Sequence, residues 1–161
     1  MTPSPRIGVG YDSHTFGAGR PLLLAGIPIP HESGLTGHSD GDAVAHAVTD
    51  AVLGAAALGD IGALFPDTDP QWRGADSMRM LATACARVRA AGFAVGNVDV
   101  TVITQRPRLA PHVPAMRERL AATLGIPIDT VSVKGKTNEG MDAVGRGEGL
   151  QVFAVALLLP V

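Results

Sequence analysis

Hydrophobic and polar positions along the chain fall into short alternating runs and three longer helical patterns. Arg6–Gly10 (RIGVG) reads as a strand, and PLLLAGIPIP as a second extended segment punctuated by Gly and Pro. HSDGDAVAHAVTDAVLGAAALGD predicts a helix, with Ser39 to Asp42 as N-cap candidates and Gly59 as a stop. FPDTDPQW predicts a loop, its two prolines bracketing two aspartates. A second helix is predicted from the N-cap Asp76 to Gly92, and a third from Pro111 to Leu124, ended by Gly125. Between those two, VGNVDVTVITQ alternates and is rich in β-branched residues, which predicts a strand. TVSVKGKT and LQVFAVALLL are the last predicted strands, on either side of the Gly-rich NEGMDAVGRGEG. The final strand is apolar on both faces, so it belongs inside a sheet or against another subunit. No repeat or linker divides the chain, and the mixed order predicts one α+β domain over residues 1–161, a two-layer α/β sandwich with a mixed sheet covered by helices.

Composition narrows the function classes. The chain is 46% hydrophobic but only 4% aromatic, so its core must be built from Ala, Val, Leu and Ile. A net charge of −2 gives no basic footprint for nucleic acid. The longest apolar run, VFAVALLLPV, is far too short to span a bilayer. MTPSPRIGVG has neither a charged n-region nor an apolar h-region, so no signal peptide is expected. Cys85 is the only cysteine, which excludes an intrachain disulfide and a cysteine zinc cluster; it is expected as a packed thiol on the second helix. A cytoplasmic protein without nucleic-acid or membrane partners is the expectation. Charge is unevenly spread: residues 1–70 carry two Arg against eight acids, net −6, while residues 100–161 carry seven Lys or Arg against five acids, net +2. An acidic, His-containing first half and a basic last third suit a site that holds both a cation and an anionic ligand.

Candidate chemistry begins at YDSHTF. If this stretch continues the first strand, Asp12 and His14 project from one face and converge, as metal ligands must. On the first helix, Asp42, His46, Thr49 and Asp50 share a face at spacings of three and four, and no Lys, Arg or Glu occurs from Ser39 to Leu58. A face of Asp and His without a balancing cation is explained by a bound one. His46 is then the natural third ligand. Asp plus two His suits zinc or a similar divalent ion, with a fourth position open to substrate, the mark of a catalytic rather than a structural site. His31 and His112 have plain structural readings in a loop and at a helix start. His38 and Ser39 lie beside the helix N-terminus, which favours an anion. Asp60, Asp67 and Asp69 suit hydroxyls or water on a second ion. Lys134, Lys136, Thr137 and Glu139 offer phosphoryl contacts and a hard-cation ligand. GRGEG, with Arg146, leads into a strand and is no dinucleotide fingerprint.

GVGYDSHTF, GHSDGDAVAHAVTDAVLGAAALGDIGALFPDTDP, GNVDVTVI, APHVPAMR, KTNEG and GRGEG occur in the order seen in the bacterial 2-C-methyl-D-erythritol 2,4-cyclodiphosphate synthase family, which the chain resembles from about Arg6 to its last strand. The resemblance implies a lyase of non-mevalonate isoprenoid biosynthesis. It would convert 4-diphosphocytidyl-2-C-methyl-D-erythritol 2-phosphate to the cyclic diphosphate and CMP, the substrate's own 2-phosphate attacking the β-phosphorus. It further implies a homotrimer with active sites at subunit interfaces, one Zn²⁺ per site, and Mg²⁺ or Mn²⁺ on the diphosphate. By the same resemblance Asp12, His14 and His46 are the zinc ligands, and His38 and Thr137 stabilise the transition state. Ser39, Asp60, Ile61, Gly62 and the loop Phe65, Pro66, Asp67, Thr68 and Asp69 match methylerythritol-phosphate contacts. Thr104, Arg106, Pro107, Arg108, Leu109 and Ala110, with Lys136 and Asn138, match the stretches that hold cytidine and diphosphate, and Glu139 lies near the second metal. Arg146 matches a position lining a cavity on the trimer axis. There the chain departs from the pattern: after KTNEG the family usually shows Leu-Gly and bulky apolar residues, and here Met141, Asp142, Ala143 and Val144 follow, with Ala143 in place of a side chain that is often Phe. Two other readings use the same residues: a metal-dependent phosphoesterase that activates water, and an inactive trimeric ligand-binding module.

Overall fold

The structure, a computed structural model, describes residues 4–161. Residues 1–3 of the stretch read as lacking a leader lie outside the described residues. The first strand, β1 (Arg6–Gly17), runs well past the Gly10 end expected from hydrophobicity. It pairs antiparallel with β7 (Gly149–Pro160) from Arg6↔Leu158 to Thr15↔Gly149, so the polar YDSHTF is carried as strand by its partner rather than by propensity.

Residues 21–30 are a hairpin, not one extended segment. β2 (Leu22–Leu24) turns through Ala25 and Gly26, both at positive φ (53° and 71°), into β3 (Ile27–Ile29). A two-residue turn with both central residues at positive φ is what tight hairpins require, and Ala25 pays steric strain to make it. β4 (Gly34–Leu35) edges β1. The helix α1 (Ala43–Ala55) starts from an Asp42 N-cap and stops before Gly59, the chain turning at Ala57 with φ 58°. A short α2 (Ile61–Leu64) follows, then α3 (Ser77–Ala90) from its Asp76 cap. β5 (Phe93–Ile103), α4 (Val113–Leu124) with Gly125 left-handed at its end, β6 (Val131–Lys136) and α5 (Asp142–Gly145) complete the order.

The main sheet has the order β4-β1-β7-β5-β6, with β5 and β6 parallel and the other pairs antiparallel. It is mixed, and the long helices lie on one of its faces. That face holds the core. Val152, Ala154, Ala156 and Leu158 of β7 are fully buried against Val44, Val48, Leu81, Met116 and Leu120 of the helices. Cys85 packs against this cluster, and burial pushes its thiol up to about 11 against the opposing charge of Arg89.

The other face of β7 is open: Phe153, Val155 and Leu159 are each more than 40% exposed. Register sets Tyr11 opposite Phe153 and Val9 opposite Val155, with the Tyr11 and Phe153 rings 5.0 Å apart. With Ile7 at 75% and Val9 at 68% exposed, this makes an apolar surface across two adjoining strands. Among the described residues no helix is long and apolar enough to cross a membrane.

Candidate metal centre

Strand alternation turns Gly8, Gly10, Asp12 and His14 toward the helices and Tyr11 and Ser13 away from them. Gly8 and Gly10 are what bring α1 to this strand. A Cβ on Gly8 would run into Ala51 O, and one on Gly10 into Ala47 O. The backbones therefore meet directly, with only Ala47, Ala51 and Ala55 of the helix between them. His46, in the first turn of α1, then reaches the polar end of β1. One ligand atom from each of Asp12, His14 and His46 lies within 4.8 Å of the others, the only such group of His, Cys, Asp or Glu among the described residues.

Both imidazoles turn Nδ1 to the same carboxylate oxygen. Asp12 Oδ2 is 3.0 Å from His14 Nδ1 and 3.1 Å from His46 Nδ1. The His14 contact lacks hydrogen-bond geometry, which leaves His14 Nδ1 a buried polar atom with no partner. Two imidazole nitrogens and a carboxylate aimed at one point, one nitrogen unpaired, fit a divalent cation of the zinc type. Electrostatics agrees. Burial alone would raise the Asp12 carboxyl, yet His14 and His46 outweigh it and hold the group below the ordinary carboxylate range. Burial likewise opposes charge on His46, yet Asp12 first, and then Asp42 and Asp40, carry it above the usual imidazole value.

The polar face of α1 has a different explanation from the one its spacing suggests. Asp42 caps the helix through Ala45 N and accepts Ala25 N at 2.9 Å and Gly26 N at 2.6 Å, tying the hairpin turn to the helix. Its burial pushes the carboxyl up to about 6 against those donors. Thr49 donates to Ala45 O within the helix. Asp50 accepts Ile61 N at 2.7 Å, and its carboxyl is raised by burial, with Asp60 and Asp12 adding to the effect. Only His46 of the four faces the candidate metal position; the cation-free face arises from three structural anchors.

Around the triad, His38, Ser39, Ile61, Gly62, Phe65, Pro66 and Asp67 line a cavity of about 310 Å³ that His46 also faces. Trp72 and Met80 join them; sequence reasoning missed both, since neither belongs to a polar motif. Trp72 stands edge-on to Phe65 at 4.8 Å and steadies the loop. Ser39 Oγ is taken up by His46 Nε2 at 3.0 Å and lies 3.3 Å from Ser77 Oγ. Asp60 and Asp69 serve as caps, accepting Ala63 N and Gln71 N, and Thr68 is exposed. Arg20 was also missed. Its guanidinium donates to Leu35 O, Gly37 O and Ser39 O and so straps the segment that presents His38.

Thr104, Arg106, Pro107, Arg108, Leu109, Ala110, Lys136 and Thr137 line a second, larger cleft of about 1040 Å³ with His31 and Lys134. His31, read as structural, stacks on Phe16 at 5.0 Å and also forms a wall of this cleft. Thr104 is buried and its hydroxyl donates to Arg106 O, while Leu109 sits in the core. Asn138 donates to Met141 O, and Glu139, at φ 52°, accepts from Thr137 Oγ1 at 3.3 Å. Ala143 lines a third hollow with Ser13, Thr15, Glu148 and Gln151, and Arg146 pairs with Glu148 at 2.6 Å. The two main clefts share no lining residue. Ser13, Gln151, Ile103 and Lys136 lie in one row across β1, β7, β5 and β6, so three strand spacings, about 14 Å, separate the metal end of β1 from Lys136.

The YgbB family profile matches residues 5–159. A curated 2-C-methyl-D-erythritol 2,4-cyclodiphosphate synthase of Gemmatimonas aurantiaca is 59% identical over 156 residues, 97% of this chain and 94% of that one. A solved 2C-methyl-D-erythritol-2,4-cyclodiphosphate synthase in its CDP-bound form superposes with a TM-score of 0.88 at 45% identity, covering 96% of this chain and all of that one. The bifunctional IspDF from Campylobacter jejuni superposes with a TM-score of 0.94 at 44% identity over 98% of this chain, which matches 42% of its length.

Proposed function

This chain belongs to the YgbB family, and from that premise we infer that it converts 4-diphosphocytidyl-2-C-methyl-D-erythritol 2-phosphate to 2-C-methyl-D-erythritol 2,4-cyclodiphosphate and CMP. The observation that carries the reading is the convergence of Asp12, His14 and His46 on one point beside the cavity that holds His38. An oxygen of the substrate's 2-phosphate bonds to the β-phosphorus as the bond from that phosphorus to the CMP oxygen breaks. The nucleophile belongs to the substrate, so the protein has to position and neutralise rather than attack. Asp12, His14 and His46 would hold Zn²⁺, and with Mg²⁺ or Mn²⁺ on the diphosphate it would supply Lewis-acid charge for phosphate oxygens that would otherwise repel each other.

The residues divide the remaining work. His38 and the Thr137 hydroxyl donate to phosphoryl oxygens as charge builds. Ile61, Gly62 and the loop from Phe65 to Asp69 enclose the methylerythritol phosphate. Arg106, Arg108 and Lys136 in the larger cleft suit a nucleoside diphosphate, and Glu139, whose carboxylate accepts from Thr137 Oγ1, is the residue proposed for the second ion. The assembly proposed is a homotrimer, in which the metal cleft of one subunit faces the nucleotide cleft of the next. Two observations support it: the clefts are separate on one chain, and an apolar sheet face is open. The setting proposed is the cytoplasm, where Cys85 stays a thiol.

The test is incubation with the cytidylyl substrate and Mg²⁺, followed by ³¹P NMR. CMP and the cyclic diphosphate should appear together. Inorganic phosphate or a linear product would instead identify a phosphoesterase, and unchanged substrate a binding module.

A further inference from the structure

We propose that Asp40 and Ser77 hold the His46 ring by its Nε2–H, so that Nδ1 is the nitrogen turned toward the metal position. Asp40 and Ser77 are thus positioning residues for that ligand; the inference rests on the metal reading above.

The argument is one of donors and acceptors. Asp40 offers carboxylate oxygens, which only accept. Oδ2 takes Ser77 N at 3.0 Å, and Oδ1 takes the Ser77 hydroxyl proton. A serine hydroxyl has one proton. With that proton committed to Asp40, Ser77 Oγ can meet His46 Nε2, 2.8 Å away, only as an acceptor. Nε2 must therefore be the donor. Ser39 Oγ, 3.0 Å from the same nitrogen, offers a second lone pair. At its other nitrogen the ring gives Nδ1 to the Asp12 carboxylate at 3.1 Å; a cation taking the place of that Nδ1 proton would meet the Nδ1 lone pair, while the Nε2 proton stays engaged by Ser77 and Ser39.

A purely structural role would not require this arrangement. The cap of α3 is already made by Asp76, whose carboxylate accepts from Met78 N and Arg79 N, so the Ser77 hydroxyl is free of capping duty. It is also fully buried, which makes an unmatched lone pair there costly. The chain Asp40–Ser77–His46 draws on the loop before α1, the first turn of α3, and α1 itself. It locks the ring in orientation as well as in proton position, the service an outer carboxylate or carbonyl gives a ligating histidine.

Long-range ¹⁵N–¹H NMR of the zinc-loaded wild-type protein reads the ring directly. His46 should show a proton on Nε2 and a metal-shifted Nδ1; a proton on Nδ1 overturns the proposal. Zinc affinity, measured on chelator-stripped protein by competition with a chromophoric chelator, should weaken about 10- to 100-fold in Ser77→Ala and in Asp40→Asn. Circular dichroism establishes which variants are folded, and either folded one decides. An affinity within twofold of wild type overturns the proposal. His46→Ala is the control for the underlying reading. If it binds zinc as wild type does, the triad itself is wrong; if it loses zinc while Ser77→Ala keeps it, only the positioning role fails.

Discussion

Gly10 of β1 lies directly against the carbonyl of Ala47 on α1, with no room for a methyl group between strand and helix. This contact sets how far α1 stands from the sheet, and so whether His46 reaches Asp12. Gly10→Ala should destabilise the fold by about 3 kcal/mol, at the upper end for overpacking because backbone meets backbone. Urea unfolding measures the loss. The folded fraction should also bind zinc more weakly; unchanged stability and unchanged affinity would show that the helix is not seated by this glycine.

Arg20 holds three alternate carbonyls, those of Leu35, Gly37 and Ser39, and a lysine cannot reproduce a planar fork across all three. Arg20→Lys should therefore lower kcat roughly 10- to 100-fold through misplacement of His38, with zinc content retained. Steady-state kinetics beside metal analysis checks it. A loss of zinc in parallel with kcat would point to collapse of the whole loop instead.

Cys85 gives the fold an alkaline limit. Its thiol is raised by burial to about 11 from 9.0, so the folded state keeps the proton longer than the unfolded chain does. The stabilisation is complete below pH 9 and is lost as pH rises through 11. Over that window wild-type stability should fall by about 2 kcal/mol more than that of Cys85→Ala. Denaturant titrations at pH 8 and pH 11 provide the difference, and parallel pH profiles would remove Cys85 from the account.

The division of the two clefts makes subunit sharing testable by complementation. His46→Ala spoils the metal cleft and Thr137→Ala the nucleotide cleft, so each variant alone should be inactive. If each active site joins the metal cleft of one subunit to the nucleotide cleft of another, random 1:1 mixing restores about a quarter of the sites. Subunit exchange followed by CMP release is the assay. Persistent inactivity after exchange would place both halves of each site on one chain.

Much of this was legible in the sequence, because the strongest signals are local. The D-x-H spacing works once YDSHTF is strand, and the His46 position follows from helical periodicity. What misled was the rest of that helix face. Asp42 and Asp50 carry the right chemistry for a metal site, but each is taken by backbone N–H groups from elsewhere, Ala25 and Gly26 for one and Ile61 for the other. Sequence spacing cannot tell a carboxylate that awaits a cation from one already bonded by a distant loop. Arg20 and Ser77 were missed for the same reason: Ser77 meets His46 across 31 residues, and Arg20 bonds to main-chain carbonyls that no side-chain pattern reveals. The exposed face of β7 was half visible, as a strand apolar on both sides, one of which this chain leaves open.

The candidate ligands come from β1 and α1, two elements joined directly by glycine-to-carbonyl contact but separated along the chain by a hairpin and a loop. A cation held by both would be released whenever either element peels away. Its binding free energy would then add to the work of local opening, and the amides of α1 would exchange with solvent more slowly as metal concentration rises. The segment that must stay still for phosphoryl transfer would thus be stiffened by the ion that it binds.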